Sequence, residues 1–256
     1  MSATHAGLKI LITFLAAATF WRSFTPPQPP AASKEQIKVD GLFGRTIRKM
    51  SSVAKITLAS ASACQILVLL ALWYPTYLPS AGPASPDAVL TRICPAITAT
   101  TSAPSKLSIA QGLATLPPEF LLGAFLMIAV GSFRLWCFRT LARHFTFEIS
   151  IQAEHKLIRA GPYGIVRHPA YIAQILVICG SFVAHLGRGS WVRECGVLGT
   201  GWGRALAVPY VVLNSVGAVS LWRRGALEDV ELKKVFGKEW VEYAREVPYR
   251  LIPGVY

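Results

Sequence analysis

Five apolar stretches, near residues 8–24, 54–78, 119–138, 169–187 and 203–222, constrain this chain more than any other feature. Each approaches the length that crosses about 30 Å of hydrocarbon. A backbone in that medium must satisfy its own hydrogen bonds, so helices are the viable answer for these stretches. The expectation is an all-α integral membrane protein, a bundle of about five transmembrane helices. The chain is 53% hydrophobic and only 15% charged, which argues against a single soluble domain. Ile10 to Trp21 is short enough for the core of a signal peptide. Phe20, Trp21 and Arg22 stand where small cleavage-site residues belong, so a retained helix is expected there. Trp73, Tyr74 and Tyr77 close the second stretch as an interfacial aromatic belt. Pro209, Asn214 and several glycines predict a kinked last helix packed against its neighbours.

Lysine and arginine outnumber the acids 26 to 13. The basic residues cluster beside apolar runs instead of lining one amphipathic face, so no nucleic-acid partner is expected. Their distribution sets an orientation. Arg22, Lys34, Lys38, Arg45, Arg48 and Lys49 fall on one side. Arg139, Arg143, Lys156, Arg159 and Arg167 join them, as do Arg223, Arg224, Lys233, Lys234, Lys238, Arg245 and Arg250. The other side carries only Lys9, Arg92, Lys106, Arg188, Arg193 and Arg204. This asymmetry places 25–53, 139–168 and 223–256 in the cytosol, and 79–118, rich in Pro, Ser, Thr and Ala, reads as a far-side loop. The five cysteines, Cys64, Cys94, Cys137, Cys179 and Cys195, are odd in number and form no CxxC pair. Neither a metal site nor a full disulfide framework is indicated, and buried or free thiols are expected. The natural division is 1–138, with three membrane helices and their connecting loops, and 139–256, where the polar motifs gather.

The first motif borders the fourth apolar stretch: His155-x-Leu157-Ile158-x-x-Gly161-Pro162-Tyr163-x-x-x-Arg167-His168-Pro169-x-Tyr171. Gly161-Pro162 marks a turn, Pro169 suits the first turn of a helix, and His168 before it is biased toward extended backbone. Taken alone, His168 is a helix-entry residue and Arg167 a membrane anchor. The second motif leaves the fifth stretch: Arg224-x-x-x-Glu228-Asp229-x-x-Leu232-x-x-x-Phe236-Gly237-x-x-Trp240-x-x-Tyr243-x-x-x-Val247-Pro248. Spacing of four puts Arg224 and Glu228 on one helical face, and Gly237 looks like a C-cap. Glu228, Asp229, Glu231, Glu239, Glu242 and Glu246 make the tail a folded mixed-charge segment; alone it is a solvated amphipathic helix.

The two motifs together, in this order and flanking two spans, resemble the isoprenylcysteine carboxyl methyltransferase family over roughly 144–253. The resemblance implies a small membrane enzyme with a cytosolic C-terminal region binding S-adenosylmethionine and a lipid-facing entrance. Its substrate would be the prenylated C-terminal cysteine of a protein, its location the endoplasmic reticulum. Carried over by position, Leu157, Gly161, Pro162, Tyr163, His168, Tyr171 and Glu228 would contact the cofactor. Arg167 and Arg224, with Tyr163, would stand near the reacting carboxylate. Three positions depart from the pattern. Ala173 stands where Gly is common and is able to narrow a helix contact or the cofactor pocket; Asp229 replaces a second Glu, and Trp240 a frequent Tyr. Relatives in this broad group need not all act on prenylated proteins, so the alternatives are a membrane methyltransferase for another lipid-like acceptor, such as a phospholipid amine or a small hydrophobic acid, and a non-catalytic scaffold.

Methyl transfer from a sulfonium to a carboxylate is an in-line displacement with a nucleophile already ionised at neutral pH, so no general base is required. The protein must align the reactants and exclude water. A guanidinium fork orients a carboxylate through two hydrogen bonds and stays charged when partly buried.

Overall fold

The computed structural model describes residues 3–32, 36–37, 41–75, 78, 81–100, 102–150 and 156–255. Lys34, Lys38, Tyr77 and His155, used in the sequence reading, lie outside them. The chain is 76% helical. Among the described residues the only extended pairing is an isolated antiparallel bridge between Gln36 and Ser150. Five helical runs are long and apolar enough to cross a membrane: Ala3–Ser23, Gly41–Trp73, Pro104–His144, Pro169–Glu194 and Gly201–Phe236. The chain is thus an all-α, multi-pass membrane protein. Large apolar side chains such as Phe14, Phe125 and Val219 remain exposed, as expected where lipid is the solvent.

The helices are α1 (Ala3–Ser23), α2 (Gly41–Trp73), α3 (Pro86–Ile93), α4 (Pro95–Ala99), α5 (Ala103–Ala114) and α6 (Pro118–Phe125). They continue with α7 (Gly131–Leu141), α8 (Pro169–Leu186), α9 (Trp191–Glu194), α10 (Gly201–Phe236) and α11 (Lys238–Glu246). A π-helical turn, Leu126–Val130, joins α6 to α7. The expected far-side loop at 79–118 instead contains α3, α4 and α5. Its Ser and Pro residues are helix starts: Ser85 and Ser102 cap α3 and α5 through their side chains, with Pro in the first turn of each. Pro209 lies within α10, which continues as one helix to Phe236.

The chain forms two compact units, each discontinuous in sequence. One comprises Met1–Trp21, Lys55–Ile128 and Cys179–Val212. Its core includes Val68, Leu69, Leu113, Trp191 and Val192. Lys9, expected in a far-side connection, is buried here, donating to the carbonyls of Thr115 and Gly189 at 2.6 and 2.7 Å and lying over the Phe120 ring. A cation in an apolar helix persists only with such partners. α6 and α8 cross at Gly123 and Gly180; a Cβ on Gly123 would lie 2.7 Å from the Gly180 carbonyl. Cys94 and Cys195 form a disulfide, correcting the expectation of thiols. Separation in sequence hid the pair: helices α3 and α4 bring Cys94 to the α9 segment, where the Ala96 amide donates to the Cys195 carbonyl. Cys64, Cys137 and Cys179 are free.

The other unit comprises Arg22–Ala54, Ala129–Ile178 and Leu213–Tyr256. Ile47, Cys137, Phe138, Phe145, Phe147, Tyr163 and Ala170 form its core. Arg134, 4% exposed, donates from Nε to the Ser23 carbonyl at 3.1 Å and from Nη1 to the Ala170 carbonyl, with its guanidinium over Phe138. It thereby ties α7 to the first turn of α8. Both sequence motifs belong to this unit.

Candidate active site

The first motif folds as the sequence predicts. Gly161 has φ +58°, a left-handed conformation that a side chain would strain, and Gly161–Gly164 forms a 3-10 turn. The turn carries Tyr163 into the core, where its ring is 6% exposed. α8 then begins at Pro169. Immediately before it, the Arg167 and His168 amides donate to the Tyr249 and Arg250 carbonyls at 3.0 and 2.9 Å, so the C-terminal segment runs beside the entrance to α8.

The second motif supplies the opposite wall. Gly225 lets α10 approach closely: a Cβ there would lie 3.3 Å from both the His168 ring and the Arg250 side chain. One turn further along α10, Asp229 becomes the centre of a charge cluster. His168 Nε2 lies 2.8 Å from its Oδ1; Arg167 Nη2 and Arg250 Nε reach its Oδ2 at 3.2 and 3.0 Å. Arg167 Nη1 also donates to the Val247 and Pro248 carbonyls at 2.8 and 2.7 Å. Four of the five guanidinium N–H donors of Arg167 are thus engaged, by Asp229 twice and the backbone twice. Arg159 holds α11 in turn, donating to Glu246 at 3.1 Å and to the Glu239 carbonyl at 3.2 Å. Tyr243 donates to the Tyr163 carbonyl at 2.8 Å.

A cleft opens between these walls. It is lined by Leu157, Tyr163, Arg167, His168, Tyr171 and Glu228 among the residues expected from sequence. Gly161 and Pro162 shape the turn without lining it, and Arg224 lies behind Tyr171, 1% exposed with its guanidinium 5.8 Å from that ring. The Tyr171 hydroxyl donates to Glu228, whose carboxylate also lies 3.6 Å from His168 Nδ1. The His168 and Tyr171 rings stack at 5.4 Å. Ala173, 1% exposed, is buried on α8 behind the residues that line the cleft.

Burial pushes the Tyr163 phenol well above its ordinary value and raises that of Tyr243 as well. Both remain neutral donors. The Tyr163 hydroxyl has no hydrogen-bond partner among the described residues although it is buried at the cleft.

The sequence reading missed Asp229 as the organising residue and gave no role to Arg134, Arg250 or the Phe145–Ser150 wall. An arginine inside an apolar span was a usable signal for Arg134. Nothing in the spacing marks Arg250 or residues 145–150.

Comparison with known proteins bears on the same region. Residues 122–186 match the model described as Isoprenylcysteine carboxyl methyltransferase (ICMT) family. That segment contains the first motif and the entrance to α8. Over those residues the chain is similar to that family. Protein-S-isoprenylcysteine O-methyltransferase B of Arabidopsis thaliana is 32% identical over 115 residues, 43% of this chain and 47% of that protein. Delta(14)-sterol reductase TM7SF2 of Mus musculus is 30% identical over 101 residues, 40% of this chain and 20% of that protein. The matches span less than half the length of either relative.

The chemistry of the cleft fits S-adenosylmethionine. That molecule combines two cationic centres, ribose hydroxyls and an aromatic base. The lining offers carboxylates from Glu148, Glu228 and Glu231, with the rings of Phe145, Tyr171 and Tyr243.

Proposed function

We propose that this chain esterifies the C-terminal carboxylate of prenylcysteine in prenylated proteins, using S-adenosylmethionine as methyl donor. Residues 139–256 form the catalytic region. The observation that carries this reading is the convergence of Glu228, Tyr171, His168 and a Tyr163 hydroxyl without a partner among the described residues on one cleft at the ends of two membrane helices.

The donor supplies an electrophilic methyl group on a sulfonium. Glu228, held in place by the Tyr171 hydroxyl and by His168, would bind its cationic or hydroxyl groups. Leu157 and Tyr163 would line the donor's site, with the Gly161-Pro162 turn positioning Tyr163. The acceptor carboxylate needs no deprotonation, only orientation and removal of water. Tyr163 orients it through its neutral O–H. Arg224, buried behind Tyr171, contributes positive potential in a low-dielectric setting. Arg167 faces the same cleft with one N–H uncommitted among the described residues, and chiefly fixes the Asp229 cluster.

The disulfide supports a cytosolic orientation. Cys94 and Cys195 lie after the second and fourth spans, whereas 145–168 and 237–256 follow the third and fifth. If all five spans cross a membrane in alternation, these pairs would face opposite compartments. Disulfides persist in oxidising compartments, which supports the reading of a cleft on the cytosolic side.

The test is transfer of labelled methyl to N-acetyl-S-farnesylcysteine by membranes containing wild-type protein or the Arg224→Ala variant. Activity in the first and its loss in the second supports the reading. The similarity to a sterol reductase favours a second one, in which the same helices present a lipid to a hydride donor. Reduction of a sterol olefin by reduced nicotinamide, without methyl transfer, would establish it instead.

A further inference from the structure

A chamber of about 430 Å³ lies within the unit that holds the disulfide, and it shares no lining residue with the cleft. That volume is within the range of ligand pockets, roughly 300–1,000 Å³. Ala61 and Cys64 on α2 line it from one side, Leu206 and Ala207 on α10 from another. Small residues such as Ala61, Cys64 and Ala207 ordinarily let membrane helices close on each other. Here they border an open space instead. Ile56, Trp202 and Leu206 line the chamber yet are 60%, 43% and 58% exposed, so it opens sideways between α2 and α10, toward lipid.

The polar groups in its wall are committed to the protein. His185 Nδ1 lies 3.2 Å from the Ser181 carbonyl and its Nε2 2.9 Å from the Ser62 hydroxyl. The Tyr210 hydroxyl lies 2.7 Å from Ser181 Oγ, and Trp191 Nε1 donates to the Ile93 carbonyl at 2.6 Å. A buried water needs about two to four polar partners, so this wall suits hydrocarbon better than water. The one charged residue among the described lining is Arg92, exposed on α3, with Nη1 donating to the Pro83 carbonyl at 2.7 Å. The Cys94–Cys195 disulfide and the Trp191–Ile93 bond fasten that end of α3 beside α9, which fixes where Arg92 stands. The Trp191 ring packs 6.2 Å from Trp202, and its amide donates to Gln65 beside Cys64. From this level the lining runs along α2 to Ile56 and along α10 to Tyr210, about 12 Å of helix axis in each case. An apolar channel with a guanidinium at one end matches an amphiphile with an anionic head.

We propose that the chamber binds an anionic phospholipid, with one acyl chain lying between α2 and α10 and the phosphate meeting Arg92. The chain gains little by leaving the bilayer, because lipid tails are as apolar as the chamber wall. An empty chamber, by contrast, forfeits dispersion contacts along its whole lining. Occupancy follows from that void, and selectivity from the guanidinium, whose fork pairs with phosphate oxygens. A zwitterionic lipid fills the same space with a weaker net attraction to Arg92.

The probe is phosphatidylglycerol carrying a photoactivated diazirine midway along one acyl chain, added to the purified protein in dodecyl maltoside, with crosslinks mapped by mass spectrometry. Labelling is expected at Ala61, Cys64 and Ala207, in addition to general labelling of Phe14 and Val219, exposed apolar residues elsewhere. Unlabelled phosphatidylglycerol should displace the chamber label about fivefold more effectively than phosphatidylcholine, the scale of one basic side chain at a lipid headgroup. In Arg92→Gln, a change at an exposed position, that ratio falls to about one. Ala207→Phe, which fills the space, removes the chamber label while Phe14 stays labelled. Crosslinks confined to residues such as Phe14 and Val219 would overturn the proposal. So would equal displacement by the two lipids in wild type, or a ratio that survives Arg92→Gln. Should Ala207→Phe fail to fold, the wild-type map and Arg92→Gln still decide. Methyl transfer enters none of these readouts, so their outcome is independent of the reaction at the cleft.

Discussion

The Arg167 guanidinium and the Asp229 carboxylate meet at 3.2 Å with side chains 10% and 8% exposed, on residues 62 positions apart. This contact joins the entrance of α8 to the C-terminal part of α10. Asp229 holds His168 and Arg250 as well, so one carboxylate compensates three neighbouring basic side chains. Removing it strands them together.

Asp229→Asn is therefore expected to destabilise the unit by about 3 kcal/mol, the scale for breaking a buried ion pair from one side. Residues 247–250, which Arg167 and His168 hold through backbone carbonyls, should exchange amide protons faster in the variant. Thermal unfolding and hydrogen exchange in nanodiscs check both effects. An unchanged melting temperature would mean that the cluster is replaceable by solvent.

The helical architecture was legible because hydrophobic length is a strong signal: five spans were expected and five are present. Local turn chemistry was equally legible at Gly161, Pro169 and Gly237, where one residue's backbone preference decides the outcome. The interior of 79–118 was misread because Ser-Pro composition signals both loops and capped short helices. The Cys94–Cys195 pair depends on contacts 101 residues apart, beyond any spacing rule. The motif residues named from sequence largely meet at one cleft, yet the part Asp229 plays emerges only from the crossing of the C-terminal segment past Arg167.

Tyr163→Phe should separate folding from function. The hydroxyl is buried with no partner among the described residues, so its removal leaves stability unchanged or slightly raised. Under the proposed mechanism, turnover loses its neutral donor to the acceptor carboxylate, and kcat/KM falls about tenfold, the loss of one good hydrogen bond. Because burial keeps the phenol protonated well above its usual range, wild-type activity should show no tyrosine inflection up to about pH 10. Parallel measurement of melting temperature and methyl transfer checks the split; a joint decline would make Tyr163 merely structural.

Glu228→Gln tests the donor site. Glutamine still offers an oxygen to the Tyr171 hydroxyl, and the position is partly solvated, so the fold should persist. The lost negative charge weakens attraction to a cationic donor. S-adenosylmethionine affinity is expected to drop at least about tenfold, while the neutral product formed by demethylation of the sulfonium, S-adenosylhomocysteine, loses less. Titration calorimetry with both compounds checks this. Equal losses for the two would assign Glu228 to the shared ribose or amino-acid part and not to the sulfonium.

Cys94→Ser tests the orientation on which a cytosolic cleft depends. The disulfide closes a loop of about a hundred residues, for which the chain-entropy model gives about 5 kcal/mol in a fully unfolded reference. A membrane protein keeps its spans helical when its tertiary packing is lost, so the smaller end of the range, about 2 kcal/mol, is expected. The topological readout is independent of that magnitude. In sealed microsomes of a variant with alanine at Cys64, Cys137 and Cys179, Cys94 and Cys195 should resist an impermeant maleimide. After a membrane-permeant reductant they should still resist it until the vesicles are opened. Labelling in intact vesicles after reduction would put the disulfide on the cytosolic side. The cleft, one span removed from each cysteine, would then face the lumen, and a cytosolic prenylated protein could not reach it.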